Sequence, residues 1–183
     1  YLTEHKINLI NSESKKNTTK FSISISGSDR TLKLENECDP IEYSNLDADG
    51  HIVSPIFHEI SDDVFKKIKS DSNFLFVDPQ GFLRQKDSNN NIILKKTDLD
   101  LSDVNAIKIN PEEGQNIVSG SHDEMMLALQ KKGIEYVLLT NKTDVSLLVK
   151  NRVYSLKLPN KHVHDTTGIG DIFCSAFTCT MLK

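Results

Sequence analysis

Tryptophan is absent from this chain of 183 residues, and glycine (8), proline (5) and cysteine (3) are sparse. Cys38, Cys174 and Cys179 are odd in number and form no C-x-x-C pair, which argues against a disulfide framework and a zinc site and makes the cytoplasm the expected compartment. No apolar run approaches the roughly 20 residues that a membrane-spanning helix needs. Positive charge is not in excess: 22 Lys and Arg stand against 26 Asp and Glu, for a net charge of −4. Nucleic-acid binding is therefore not expected. The lysine pairs at 15–16, 66–67, 95–96 and 131–132 are scattered and read as solvated surface. No leader is visible and the first residue is Tyr1, as in a cleaved precursor or a partial chain.

What is present has a rhythm. Phe21 to Ser26 reads F-S-I-S-I-S, the two-residue period of a half-covered strand, and Thr31 to Leu34 alternates again after a turn at S-G-S-D. One face of this hairpin (18–36) needs a cover. From residue 52 short apolar runs alternate with helical ones: HIVSPIF, a helix over Asp62 to Lys69, FLFV, VNAIKI, a helix over Asp123 to Lys132, then YVLLT. Near-continuous apolar strands taking turns with helices predict an α/β domain over residues 1–183, with a mostly parallel sheet covered by helices. SLLV and RVYSLKL read as an antiparallel hairpin, and DSNNN at 87–91 as a polar loop. Met125, Met126, Leu127 and Leu129 read as the core face of a helix. His162 and His164 alternate along the chain but lack a third ligand nearby, a poor metal site.

Ligands of such sheets gather at the carboxyl ends of the strands. Three polar stretches fall there: DPQGFLR (78–84), NPEE (110–113) and HDTTGIGD (164–171). The last is the least ordinary, because two glycines in the first turn weaken a helix by up to about 1 kcal/mol each. Gly168 and Gly170 let the backbone approach a ligand, so the N–H groups of Gly168, Ile169 and Gly170 can converge on an anion at the helix start. A carboxylate at Asp171 repels that anion unless it takes a proton from the attacking group. Neither G-x-G-x-x-G nor a Walker loop fits, since Phe173 stands at the third glycine position and no lysine follows Gly170; G-x-S-x-G is missing too.

DTTGIGD followed by an apolar helix resembles the D-T-x-G-A-G-D signature of the ribokinase-like (PfkB) carbohydrate kinases, with Ile169 where alanine is usual. The resemblance implies a three-layer, Rossmann-like α/β fold with a β lid. It also implies transfer of the γ-phosphoryl group of ATP, with Mg2+, to a hydroxyl of a sugar, sugar acid, polyol or nucleoside. It assigns the general base to Asp171 and the anion hole to Gly168, Ile169 and Gly170. NPEE resembles the family's N-x-x-E motif and places Asn110 and Glu113 near the metal and phosphates. Thr140, Asn141, Thr166 and Thr167 would join Asn110 at the nucleotide. DPQGFLR and the 18–36 hairpin resemble substrate-side and lid segments, which puts Thr19, Lys20, Gln80 and Arg84 on the acceptor side, gives Asp78 a structural or substrate-side role, and suggests a homodimer through the lid.

The departures are specific. Lys142 and Val145 stand where the family's T-x-G-x-x-G has glycines, and the family's early glycine pair and substrate-binding aspartate are absent, as in a partial chain. They keep open an alternative: a catalytically inactive ribokinase-fold protein that binds a nucleotide or sugar.

Overall fold

The two alternating segments near the start pair as a ladder. The computed structural model describes residues 4, 17–26, 29–159 and 168–183. Strands β1 (Lys20–Ser26) and β2 (Asp29–Asn36) run antiparallel, with Phe21 opposite Leu34 and Ile23 opposite Leu32. The expected cover reaches only the open end of this hairpin. There Leu34 is buried, the Phe21 ring meets Phe57 edge-on at 6.3 Å, and the Arg84 guanidinium lies 5.5 Å over Phe21. Toward the turn Ile23 and Ile25 are 47% and 75% exposed, so among the described residues nothing shields that face.

The main body follows in chain order: β3 (His51–Val53), α1 (Asp62–Asp71), β4 (Leu75–Val77), α2 (Gln80–Leu83), β5 (Arg84–Lys86), β6 (Ile92–Leu94), β7 (Ala106–Ile109), α3 (Pro111–Ile117), α4 (His122–Lys131), β8 (Tyr136–Thr140), β9 (Asp144–Val149), β10 (Arg152–Lys157) and α5 (Ile169–Met181). Six strands form one sheet in the order β10-β9-β8-β7-β4-β3. β3, β4, β7 and β8 are parallel, and β9 and β10 close the other edge antiparallel. The expected α/β fold is therefore present. HIVSPIF yields a shorter strand than its apolar run suggests, because Pro55 has no N–H to give to a ladder. DSNNN is the turn of the β5–β6 hairpin, where Asp87 Oδ1 accepts the N–H groups of Asn89 and Asn91 at 2.8 Å each.

Helix starts are fixed by their caps. Ser61 Oγ accepts the Val64 N–H at 3.3 Å, with Asp62 and Asp63 in the positive first turn of α1. Ser121 and Glu124 form a reciprocal capping box on α4. The main core packs Phe65 and Ile68 of α1 and Met125, Met126 and Leu129 of α4 against one face of the sheet. Leu127, expected with them, is 41% exposed: it sits two positions from Met125 and Leu129 and so points away from their face. On the opposite face Phe76, Ala106 and Leu138 meet Cys174 of α5. Here the Phe177 ring lies 5.6 Å from Phe76 and 5.8 Å from Tyr136.

Candidate active site

The four parallel strands end at Val53, Val77, Ile109 and Thr140, and the residues that follow are Ser54, Asp78, Asn110 and Asn141. All four lie along the carboxyl edge of the sheet, where polar side chains and free helix N–H groups meet. The start of α5 arrives at the same edge. Gly168 caps this helix with φ +80, a left-handed backbone that L side chains avoid, and the first helical bond closes from the Ile172 N–H to the Gly168 carbonyl at 3.0 Å. The N–H groups of Ile169, Gly170 and Asp171 thus precede the first turn's internal bonding. Asp171 is exposed, and Ser54 Oγ donates to its Oδ1 at 3.1 Å.

Behind the two glycines lies a charged group that the sequence reading passed over. Lys108, the third residue of the otherwise apolar strand β7, is 9% exposed, and its Nζ donates to Asp78 Oδ2 at 2.6 Å. Asp78 is 1% exposed, and its Oδ1 accepts the Gln80 N–H at 3.4 Å. Burial alone would push the Lys108 ammonium down, but the charges of Asp78 and Glu113 outweigh it and raise its pKa. Burial, only partly offset by Lys108, pushes the Glu113 carboxyl up. A Cβ placed on Gly170 would lie 3.4 Å from Lys108 Nζ and 3.7 Å from Asp78 Oδ2. The start of α5 therefore lies directly against the ion pair.

A cavity of about 950 Å³ opens beside this point. Lys108, Asn110, Thr140, Asn141, Ile169 and Gly170 are among its polar and backbone edges, with an apolar wall from Leu147, Tyr154, Leu156 and Phe173. Lys142 and Val145 also line it. Asn141 to Thr143 all keep negative φ and the Asn141 N–H reaches the Asp144 carbonyl at 2.8 Å, so this turn needs no glycine.

The remaining expected residues fall into two groups. Asn110 and Glu113 do meet, but as a capping box on α3: Asn110 Oδ1 accepts the Glu113 N–H and Glu113 Oε2 accepts the Asn110 N–H, both at 2.8 Å. Among the described residues no group of three His, Cys, Asp or Glu side chains could hold a metal ion. Their side-chain oxygens are engaged with the backbone N–H groups at the start of α3. Gln80 and Arg84 bond to each other, Oε1 to Nη2 at 2.8 Å, and Arg84 also donates to the Ile56 carbonyl at 3.0 Å. At the first hairpin, Thr19 Oγ1 accepts the Cys38 N–H at 3.3 Å and Lys20 pairs with Glu35 at 3.0 Å. Gly27, His162, His164, Asp165, Thr166 and Thr167 lie outside the described residues.

Comparison with solved structures places this architecture. A pyrophosphate-dependent kinase in the ribokinase family, in complex with sulfate, is 20% identical, with a TM-score of 0.77 over 92% of this chain and 63% of that one. The fold is that of the ribokinase family. Ribokinase of Arabidopsis thaliana, complexed with ribose and ATP, matches the ribokinase-like sheet at 17% identity and a TM-score of 0.60, over 92% of this chain and 57% of that one. A fructokinase double mutant from Vibrio cholerae O395, bound to fructose, ADP and potassium, matches at 13% identity and 0.66, over 97% and 63%. The chain thus spans about three fifths of the length of these ribokinase-fold structures. No protein-family model and no curated protein matches the sequence.

Proposed function

We propose that this chain carries the phosphoryl-transfer half of a kinase that moves the γ-phosphoryl group of ATP to a hydroxyl of a sugar, sugar acid, polyol or nucleoside. The observation that carries the reading is the start of α5: Gly170 lines a large cavity at the carboxyl edge of a ribokinase-like sheet, and Asp171 follows it in the chain. Asp171 already accepts a hydrogen bond from a hydroxyl, that of Ser54, and an acceptor alcohol would take the same place. Asp171 removes the alcohol proton as the oxygen attacks the γ-phosphorus in line. The bond from phosphorus to the bridging oxygen breaks, and ADP leaves. The N–H groups of Gly168, Ile169 and Gly170 receive the charge on the migrating group. Asn110 and Glu113 at the start of α3 are the residues that would hold a magnesium ion, which would supply charge neutralisation to the donor phosphates. The exposed Ile23 and Ile25 of the lid hairpin are the surface we assign to a homodimer partner.

A second donor reading has its own support. Lys142 and Val145 replace glycines at the cavity, and the similar structures include a pyrophosphate-dependent kinase complexed with a pyrophosphate analog and myo-inositol. Turnover of the full-length protein on a panel of sugars, polyols and nucleosides, with ATP and with pyrophosphate as donors, decides between them. Product with ATP supports the first reading and product with pyrophosphate alone the second. Tight binding of donor and acceptor with no product in any combination overturns both in favour of a non-catalytic binding protein.

A further inference from the structure

A second cavity, of about 430 Å³, opens between α1 and the segment that follows β6. It shares no lining residue with the cavity at the start of α5. Its floor is formed by Ile60, Phe65, Phe82 and Leu99, all members of the main core that α1 and α4 pack against the sheet, so it lies on the face away from α5. The Phe65 and Phe82 rings stand 5.2 Å apart and 46° from parallel, which makes that floor broad and apolar. The size falls within the roughly 300–1,000 Å³ of small-molecule sites.

The rim is polar, and its free groups are of one kind. Lys69 is 8% exposed, and its Nζ reaches the Asp100 carbonyl at 3.3 Å, Asp100 Oδ2 at 2.5 Å and Ser102 Oγ at 3.0 Å. All three of its donors are thus engaged, and it balances Asp100. Asp62 and Asp98 also line the rim, and among the described residues neither carboxylate has a hydrogen-bond or ion-pair partner. Thr97 Oγ1 gives its proton to the Lys95 carbonyl at 3.1 Å and keeps its lone pairs. The Gln85 amide nitrogen lies 3.2 Å from His58 Nε2, which leaves the Gln85 oxygen as an acceptor. Acceptors over an apolar floor call for a ligand rich in donors. Two unpaired carboxylates against the single ammonium of Lys66 repel an anion, and Lys66 in turn opposes an organic cation.

We propose that this cavity is a second binding site, separate from the one at the carboxyl edge, for an uncharged polyhydroxylated molecule of monosaccharide size. Its hydroxyls donate to the Asp62 and Asp98 carboxylates, bonds strengthened by the acceptor's charge, while its C–H face lies on Phe65 and Phe82. Lys66 donates to a ligand oxygen. The proposal does not depend on the kinase reading, because no group of that mechanism lines this cavity.

The test is an NMR titration of the full chain with glucose, fructose, ribose, sorbitol and myo-inositol, read at backbone amides. At least one of them should shift the amides of residues 58–66 and 97–100 in a saturable way. The double variant Asp62→Asn/Asp98→Asn keeps the shape and removes both charges; both side chains are exposed, so the fold should survive. It should weaken that binding about tenfold or more. Glucosamine and glucose 6-phosphate, which add a positive and a negative charge, should shift the same amides less than glucose does. Shifts absent throughout the panel, or confined to residues 108–110, 140–141 and 168–171, would overturn the proposal. So would binding of glucosamine or glucose 6-phosphate in preference to every uncharged probe, or binding that the double variant leaves unchanged. A chain that binds a sugar here and phosphorylates nothing would refute the kinase reading and leave this site standing.

Discussion

Ser54 and Asp171, 117 positions apart in the chain, are joined by a hydrogen bond of 3.1 Å from hydroxyl to carboxylate. One follows the edge strand β3 and the other lies in the first turn of α5, so the contact ties the N-terminal end of the helix to the sheet. Asp171→Asn should lower turnover about 10²- to 10⁴-fold and spare donor binding. Ser54→Ala should cost less than about tenfold, because it removes a placeholder and an orienting bond but not the base. Steady-state rates beside donor titrations check both, and equal losses in rate and binding for Asp171→Asn would refute the base.

The two glycines should fail in different ways. At Gly168 any L side chain meets a φ of +80, so Gly168→Ala should lose about 1–2 kcal/mol of stability, with Gly168→Asn milder. At Gly170 the backbone is ordinary, and a methyl would stand 3.4 Å from Lys108 Nζ. Gly170→Ala should melt close to the parent and bind pyrophosphate more weakly. Thermal melts paired with titrations separate the two.

Gly81 gives a purely steric prediction. A Cβ there would lie 2.4 Å from both the carbonyl carbon and oxygen of Pro55. Backbone must shift to admit it, so Gly81→Ala should cost about 1–3 kcal/mol in urea unfolding. The displaced segment adjoins Ser54, and activity should fall with it.

Alkaline pH should loosen the fold through Cys174. Burial, aided by the charge of Asp78, pushes this thiol from 9.0 up to about 12. The folded chain keeps the proton while the unfolded chain releases it, so stability should fall as pH rises from 9.0 toward about 12. Lys108, whose pKa is raised above 10.5, adds a loss only at the upper end of that range. Urea titrations across pH 8 to 11 should show the decline, and Cys174→Ala should flatten its lower part.

The alternation of apolar strands and helices made the parallel sheet legible, because each buried strand is a short unbroken run. DTTGIGD was legible because glycines at a helix start are locally unfavourable and demand a reason. Lys108 was not, since a lone charge in an apolar strand looks like an edge residue until its partner 30 positions upstream is brought beside it. Asn110 and Glu113 carried two meanings at one spacing: N-x-x-E is both a family motif and a capping box, and the geometry shows the cap. Ser54 was hidden inside a run read as strand. The alternation in β1 and β2 was correctly read as a ladder, but pattern alone could not show that Ile23 and Ile25 face solvent.

The two faces of the sheet are unequally built. Among the described residues α1 and α4 belong to a cluster of nineteen buried side chains, whereas Cys174 of α5 shares one with Phe76, Ala106 and Leu138 alone. The helix that presents Asp171 is thus anchored chiefly by a few aromatic rings, and its amides should exchange with deuterium through local opening well before those of α4. A thin foundation of that kind should make the Asp171 end of α5 the first part of this face to open while the α1–α4 side stays closed.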